Sequence, residues 1–301
     1  MVPASILCTG QASAMAVNRA FCSSSRGASN VAKKDIHRAI SLNSTQFNLS
    51  RILGPAIAGV IIVKFGATAC FGANALSYVP FFFSLYFIYP KGKFKPEPTA
   101  AKPVQQLIEF RSLLADPQVR FPLMTTLFTG IFCAPIITFC AVLIKTGFHQ
   151  EVETYGGAMA AIGIGGLIGA ASSFVSLPEH IKLNKVASVT SMLLGLVIVV
   201  ISLNHSFIAL MVLLAFAGAG LTATNISVNS FLQENTANNF RGRIVSLFQL
   251  ALSGGISIGA LITGFTVAQF SISTALLING SLAIAIQGIL WWVQRQVAVA
   301  T

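Results

Sequence analysis

Apolar residues gather along this chain into long stretches separated by short polar hinges. Stretches at about 43–64, 67–89, 120–145, 155–177, 185–203, 206–231, 244–268 and 271–293 each reach the length of a membrane-crossing helix, which takes about 20 residues to pass through about 30 Å of hydrocarbon. A ninth segment, 2–18, is short and rich in Ser, Ala and Gly, and reads as a marginal span. The pattern predicts an all-α polytopic membrane protein built as a helical bundle.

The polar hinges carry the orientation. Sixteen basic residues fall on one side of the predicted spans, in the segments 19–38, 91–120, 182–185, 241–243 and at 295. The opposite side holds only Lys64 and Lys145, and Arg51 lies inside a span. Lys and Arg concentrate on the cytoplasmic side of membrane proteins, so the loops at 19–41, 90–119, 178–185 and 232–243 are expected there. Within the longest of them, "PKGKFKPEPTAAKP" resists helix, and Val104, Leu107, Ile108, Leu113 and Leu114 then form an amphipathic stripe. A short helix lying on the membrane surface fits that stripe. The expected division is a remnant of an N-terminal half at 1–90, a cytoplasmic linker at 91–119, a six-span C-terminal half at 120–293 and a cytoplasmic tail at 294–301.

A shift of 205 residues pairs Arg38 with Arg243, Ser41 with Ser246, Leu42 with Leu247, Gly54 with Gly259, Gly59 with Gly264, Phe65 with Phe270 and Asn74 with Asn279. Both copies start on the cytoplasmic side, which makes a parallel repeat of two pseudo-symmetric halves, a layout transporters use. If each half has six spans, the first lacks roughly 85 residues, or three spans with loops. The expectation is an N-terminally truncated, twelve-span protein of which about spans 4–12 are present.

Composition removes other classes. The chain is 54% hydrophobic and 9% charged, against about 25% charged in soluble domains. The net charge of +11 lies in loops between spans and not on one patch, so nucleic acid is not an expected partner. Cys8, Cys22, Cys70, Cys133 and Cys140 form no Cys-x-x-Cys pair and have no His cluster beside them; they read as inert thiols, and no metal is expected. All eight acids lie outside the spans or at their ends, so no carboxylate within this chain's spans is available to carry a proton. No phosphate-binding Gly-rich loop with Lys-Ser/Thr appears, and no catalytic triad. No cofactor and no enzyme activity are expected.

The stretch "LSRILGPAIAG" at 49–59 stands out inside an apolar run. Proline costs a helix interior about 3 kcal/mol and glycine about 1, so Gly54-Pro55 needs a reason. Pro55 loosens the backbone, while Gly54, Ala58 and Gly59 make a smooth face; small residues four apart let helices approach closely. Gly165 with Gly169, and Gly255 with Gly259, form similar faces. Ordinary membrane packing explains such faces as well as a moving seam does. Arg51 sits about two turns into its span, where a charge is costly and marks function, or snorkels to the headgroups. Thr222, Asn225 and Asn229 share a helix face, and Thr125, Thr126 and Thr129 lie in the 120–145 span. They suit either a cavity wall or interhelical hydrogen bonds that fix packing.

"AKKDIHRAISLNSTQFNLSRILGPAIAGV" and "FRGRIVSLFQLALSGGISIGALITG" resemble the fourth loop with the fifth span, and the tenth loop with the eleventh span, of the major facilitator superfamily in its enterobactin-exporter-like and macrolide-efflux-like branch. Gly54-Pro55-x-x-Ala58-Gly59 is similar to that family's antiporter motif, with Ala58 in place of a glycine. The resemblance covers about residues 31–293. It implies that the fifth span packs on the eighth across the two halves, and that Thr126, Thr129, Thr222, Asn225 and Asn229 border a central cavity. It makes Arg38, Arg51, Arg241 and Arg243 gating or loop charges. The implied activity is export of a small molecule, a siderophore or an amphipathic drug, across the bacterial inner membrane by alternating access. The implied partners are that substrate, membrane lipid and protons as the candidate coupling ion, in a monomer. The alternative is a truncated relic of such a transporter that no longer transports.

Overall fold

The computed structural model describes residues 72, 76, 115–150, 154–172, 183–236 and 240–300. All regular structure among them is helical: α1 Pro117–Phe132, α2 Pro135–Thr138, α3 Cys140–Val142, a π-helical turn Leu143–Gly147, α4 Tyr155–Ser172, α5 Leu183–Leu203, α6 Phe207–Glu234, α7 Arg241–Gln269 and α8 Ile272–Ala300. Six segments are long and apolar enough to cross a membrane, namely Pro117–Thr138, Tyr155–Ser172, Leu183–Leu203, Phe207–Glu234, Gly242–Gln269 and Ile272–Gln296. They overlap the six runs read at 120–293. The runs at 43–64 and 67–89 (apart from helical Gly72 and Leu76), the segment 2–18 and the surface helix at 104–114 lie outside the described residues.

Local chemistry starts and stops these helices. Asp116 caps α1 by accepting from the backbone N–H of Gln118 at 2.8 Å, with Pro117 in the first turn, a position where its missing N–H costs nothing. Between α5 and α6, Asn204 turns the chain by accepting from the Ser206 N–H at 3.0 Å while its amide donates to the Ser206 carbonyl at 2.7 Å. Such Asx bonding favours turns over helix, so two spans are joined by three residues.

The first span departs from the continuous helix that the 120–145 run suggests. Pro135 has no N–H to offer the carbonyl of Ile131. The helix breaks at Cys133–Ala134, where the Ala134 N–H reaches back five residues to the Thr129 carbonyl at 3.1 Å. It resumes as short helices and a π-helical turn ending at Gly147.

Packing joins α4 to α6, α5 to both α6 and α8, and α1 to α7 and α8. Two apolar clusters result. One takes in Ile136, Leu143, Ile162, Ile198, Leu210, Leu214 and Leu276 near the end of the bundle that holds the 204–206 turn. The other, at the opposite end, holds Val119, Leu123, Ala187, Val228, Leu232, Ile244 and Phe248. Cys133 and Cys140 are free and buried in the first. Large apolar side chains also point outward, among them Ile164, Ile168, Leu193, Phe216, Leu261, Phe265 and Ile289, as expected of helices whose solvent is hydrocarbon.

Candidate functional site

Three glycine-lined seams hold the bundle together. Where α4 crosses α6, a Cβ built at Gly169 would lie 2.5 Å from the Ala219 carbonyl oxygen, and one at Gly165 would collide with the Ala215 carbonyl. From the other side, Gly218 faces the Ile162 carbonyl. Where α1 crosses α7, a Cβ at Gly255 would lie 2.6 Å from the Leu127 carbonyl oxygen and one at Gly130 would meet Gly255 itself, while Gly259 abuts the Ile131 carbonyl. That carbonyl is the one Pro135 leaves without its helical donor. Where α5 crosses α8, Gly195 and Gly280 face each other's turns. A side chain at Gly165, Gly169, Gly218, Gly255, Gly259 or Gly280 would push against the backbone of the facing helix, so glycine is what allows the contact there.

Gly165 and Gly169 lie against α6, and Gly255 and Gly259 against α1, each a helix of the same six-span bundle. The fifth span, with Arg51, Gly54, Pro55, Ala58 and Gly59, lies outside the described residues, as does Arg38. Arg241 opens α7 with its side chain outside the description. Arg243 is half-buried, with its guanidinium carbon 5.4 Å from the Phe240 ring centroid.

Between the two apolar clusters runs a polar layer. Thr129 Oγ1 and Ser191 Oγ share a hydrogen bond at 2.7 Å, joining α1 to α5. The Gln287 amide of α8 donates to the Thr125 carbonyl at 3.2 Å and to Thr129 Oγ1 at 3.4 Å. Thr190 and Thr224 pair at 2.9 Å, extending the layer from α5 to α6. Gln287 is 1% exposed and Ser191 fully buried. Among the described residues Thr125 Oγ1 and Gln287 Oε1 have no hydrogen-bond partner, which is costly for buried polar atoms. A separate bond, Asn279 Nδ2 to Thr263 Oγ1 at 2.8 Å, ties α8 to α7.

Of the residues read as a cavity wall, Thr126 and Thr129 are buried within this bundle, Thr126 donating to the Pro122 carbonyl at 3.1 Å. Thr222 is buried as well, while Asn225 and Asn229 are half-buried on α6, with Asn229 Oδ1 accepting from Gln233 Nε2 at 2.8 Å. Sequence reasoning passed over Ser191, Gln287, Thr263 and Asn279. One signal was available: Gln287 is a lone amide in "AIAIQGILWW", and such a group inside a span needs a partner. Among the described residues no cluster of His, Cys, Asp and Glu could hold a metal ion.

The family model described as Transmembrane secretion effector matches residues 5–299. The chain is also similar to the Staphyloferrin A transporter of Staphylococcus aureus (strain NCTC 8325 / PS 47), at 23% identity over 261 residues. That alignment covers 86% of this chain and 64% of the relative, so the chain spans less than two thirds of the relative's length. With its six apolar helices and a family match running almost from end to end, the chain belongs to the transmembrane secretion effector family of major facilitator superfamily membrane proteins.

Proposed function

We propose that this protein is a secondary active transporter that exports a small molecule, of the siderophore or amphipathic-drug class, across the bacterial cytoplasmic membrane by alternating access. The observation that carries the reading is the set of backbone-to-backbone seams at Gly165/Ala215, Gly255/Leu127 and Gly195/Gly280. They join the 117–296 helices closely in pairs, which the α5–α6 and α1–α8 contacts connect, and rocking of one helical body against another is how transporters of this kind alternate access. Family membership and the similarity to a protein named as a Staphyloferrin A transporter support a small-molecule cargo. The Gly54-Pro55 element supports export over import, and protons are the proposed coupling ion. Asp116 caps α1 and Glu234 ends α6, so a buried proton carrier is not supplied by these two groups.

The test is efflux from cells lacking their own exporters, with the full chain expressed and a fluorescent amphipathic dye and a siderophore as cargoes. Efflux above the vector control is expected, abolished by the protonophore that removes the proton gradient. Gly165→Leu should reach the membrane at the normal level yet lose efflux, because bulk against the Ala215 carbonyl splits α4 from α6. No efflux of either cargo at normal expression would sink the reading.

A further inference from the structure

At the end of the bundle opposite the 204–206 turn, α5 and α8 meet: Asn184 Nδ2 donates to Gln294 Oε1 at 3.5 Å. The next residue on each helix is a cation, Lys185 and Arg295, and both are exposed. The carboxylates described at this end sit on other helices, Asp116 at the start of α1, where it caps its own helix, and Glu234 at the end of α6. The guanidinium carbon of Arg295 lies 3.8 Å from the Trp291 ring centroid. That stack occupies the face of the guanidinium and leaves its in-plane N–H groups for a two-oxygen acceptor. It also narrows the side chain's rotamers, so less freedom is lost on binding. Trp292, next along, is 61% exposed, and exposed indoles settle at headgroup depth. Roughly 9–17 Å deeper along the helices, Leu193 and Leu196 of α5 and Ile289 of α8 present apolar surface.

Anionic oxygen pairs at headgroup depth, with hydrocarbon beneath them, describe one ligand. We propose that Arg295 on its Trp291 platform, with Lys185 beside it, binds the phosphodiester of an anionic glycerophospholipid. The inference rests on these helices spanning a bilayer and is independent of export.

The chain's two tryptophans are Trp291 and Trp292, so fluorescence excited selectively from tryptophan reports on this site alone. The full chain is reconstituted into phosphatidylethanolamine vesicles doped with phosphatidylglycerol, with brominated acyl chains on one lipid or the other. Quenching should favour brominated phosphatidylglycerol at equal mole fraction. The preference should fall about fivefold for each cation removed in Arg295→Gln and Lys185→Gln, and weaken in high salt. Arg295→Lys should keep part of it, and Lys145→Gln, at the far end, all of it. An unchanged helical circular dichroism spectrum in each variant confirms that the fold is intact. Equal quenching by the two lipids in the unmodified protein would overturn the proposal, as would a preference that survives both substitutions. Loss of the preference on adding millimolar inorganic phosphate would also overturn it, by identifying free phosphate as the ligand.

Discussion

Thr129 shows how a polar side chain is used inside this bundle. On α1 alone its hydroxyl could bond only its own backbone; in the fold it meets Ser191 at 2.7 Å and takes a donor from Gln287. In a membrane such bonds are worth less than their burial suggests, about 0.6 kcal/mol on average and at most about 1.7, because the unfolded helices also find partners. A double-mutant cycle of Thr129→Val and Ser191→Ala should therefore give a coupling of about 0.6 kcal/mol, read by reversible unfolding in detergent. A coupling of zero would mean the pair does not form. The same reasoning explains why the sequence leaves the role of Thr126 and Thr129 open. A hydroxyl on an apolar helix must bond something, and the sequence around it does not say whether that is cargo, backbone or another helix.

Helix α7 carries two adjacent glycines with opposite surroundings. A Cβ at Gly255 would lie 2.6 Å from the Leu127 carbonyl and 3.2 Å from the Gly130 Cα, whereas one at Gly254 meets no described atom within 4 Å. Gly255→Ala should cost about 1–3 kcal/mol through overpacking. Gly254→Ala should gain about 0.4–1 kcal/mol by reducing the freedom of the unfolded chain. Thermal midpoints of the two variants in detergent check this, and a reversed order would mean that α1 does not cross α7 here. The sequence marks both residues equally. Helix α1 teaches a related point: Pro135 was visible in an apolar run, but only the path of Cys133–Gly147 shows that the helix breaks there and passes through a π-helical turn. The loss of one N–H allows a break; neighbouring turns decide whether it bends, shifts register or stops.

Taken whole, the bundle has two unlike ends. Lys145 lies beyond the first span at the end with the 204–206 turn, and Lys185 and Arg295 lie at the other. If the basic end faces the cytoplasm, a cysteine at position 145 in a cysteine-free background should react with an impermeant maleimide added outside intact cells. A cysteine at 185 should react only after the membrane is opened. The opposite pattern would invert the molecule.

The number and placing of the spans from 117 to 296 could be read directly from the chain, because the transfer of about 20 apolar residues into hydrocarbon is a local free energy. The membrane class and the small-residue faces at Gly165/Gly169 and Gly255/Gly259 follow from the same local reading. Which helix each face meets is not local. A glycine face fits any other small face, so the pairing of Gly165 with Ala215, and of Gly255 with Leu127, depends on the simultaneous packing of all the helices. The polar layer is legible only in three dimensions for the same reason: Thr129, Ser191 and Gln287 are far apart in sequence, and each by itself resembles a tolerated polar residue in a greasy helix.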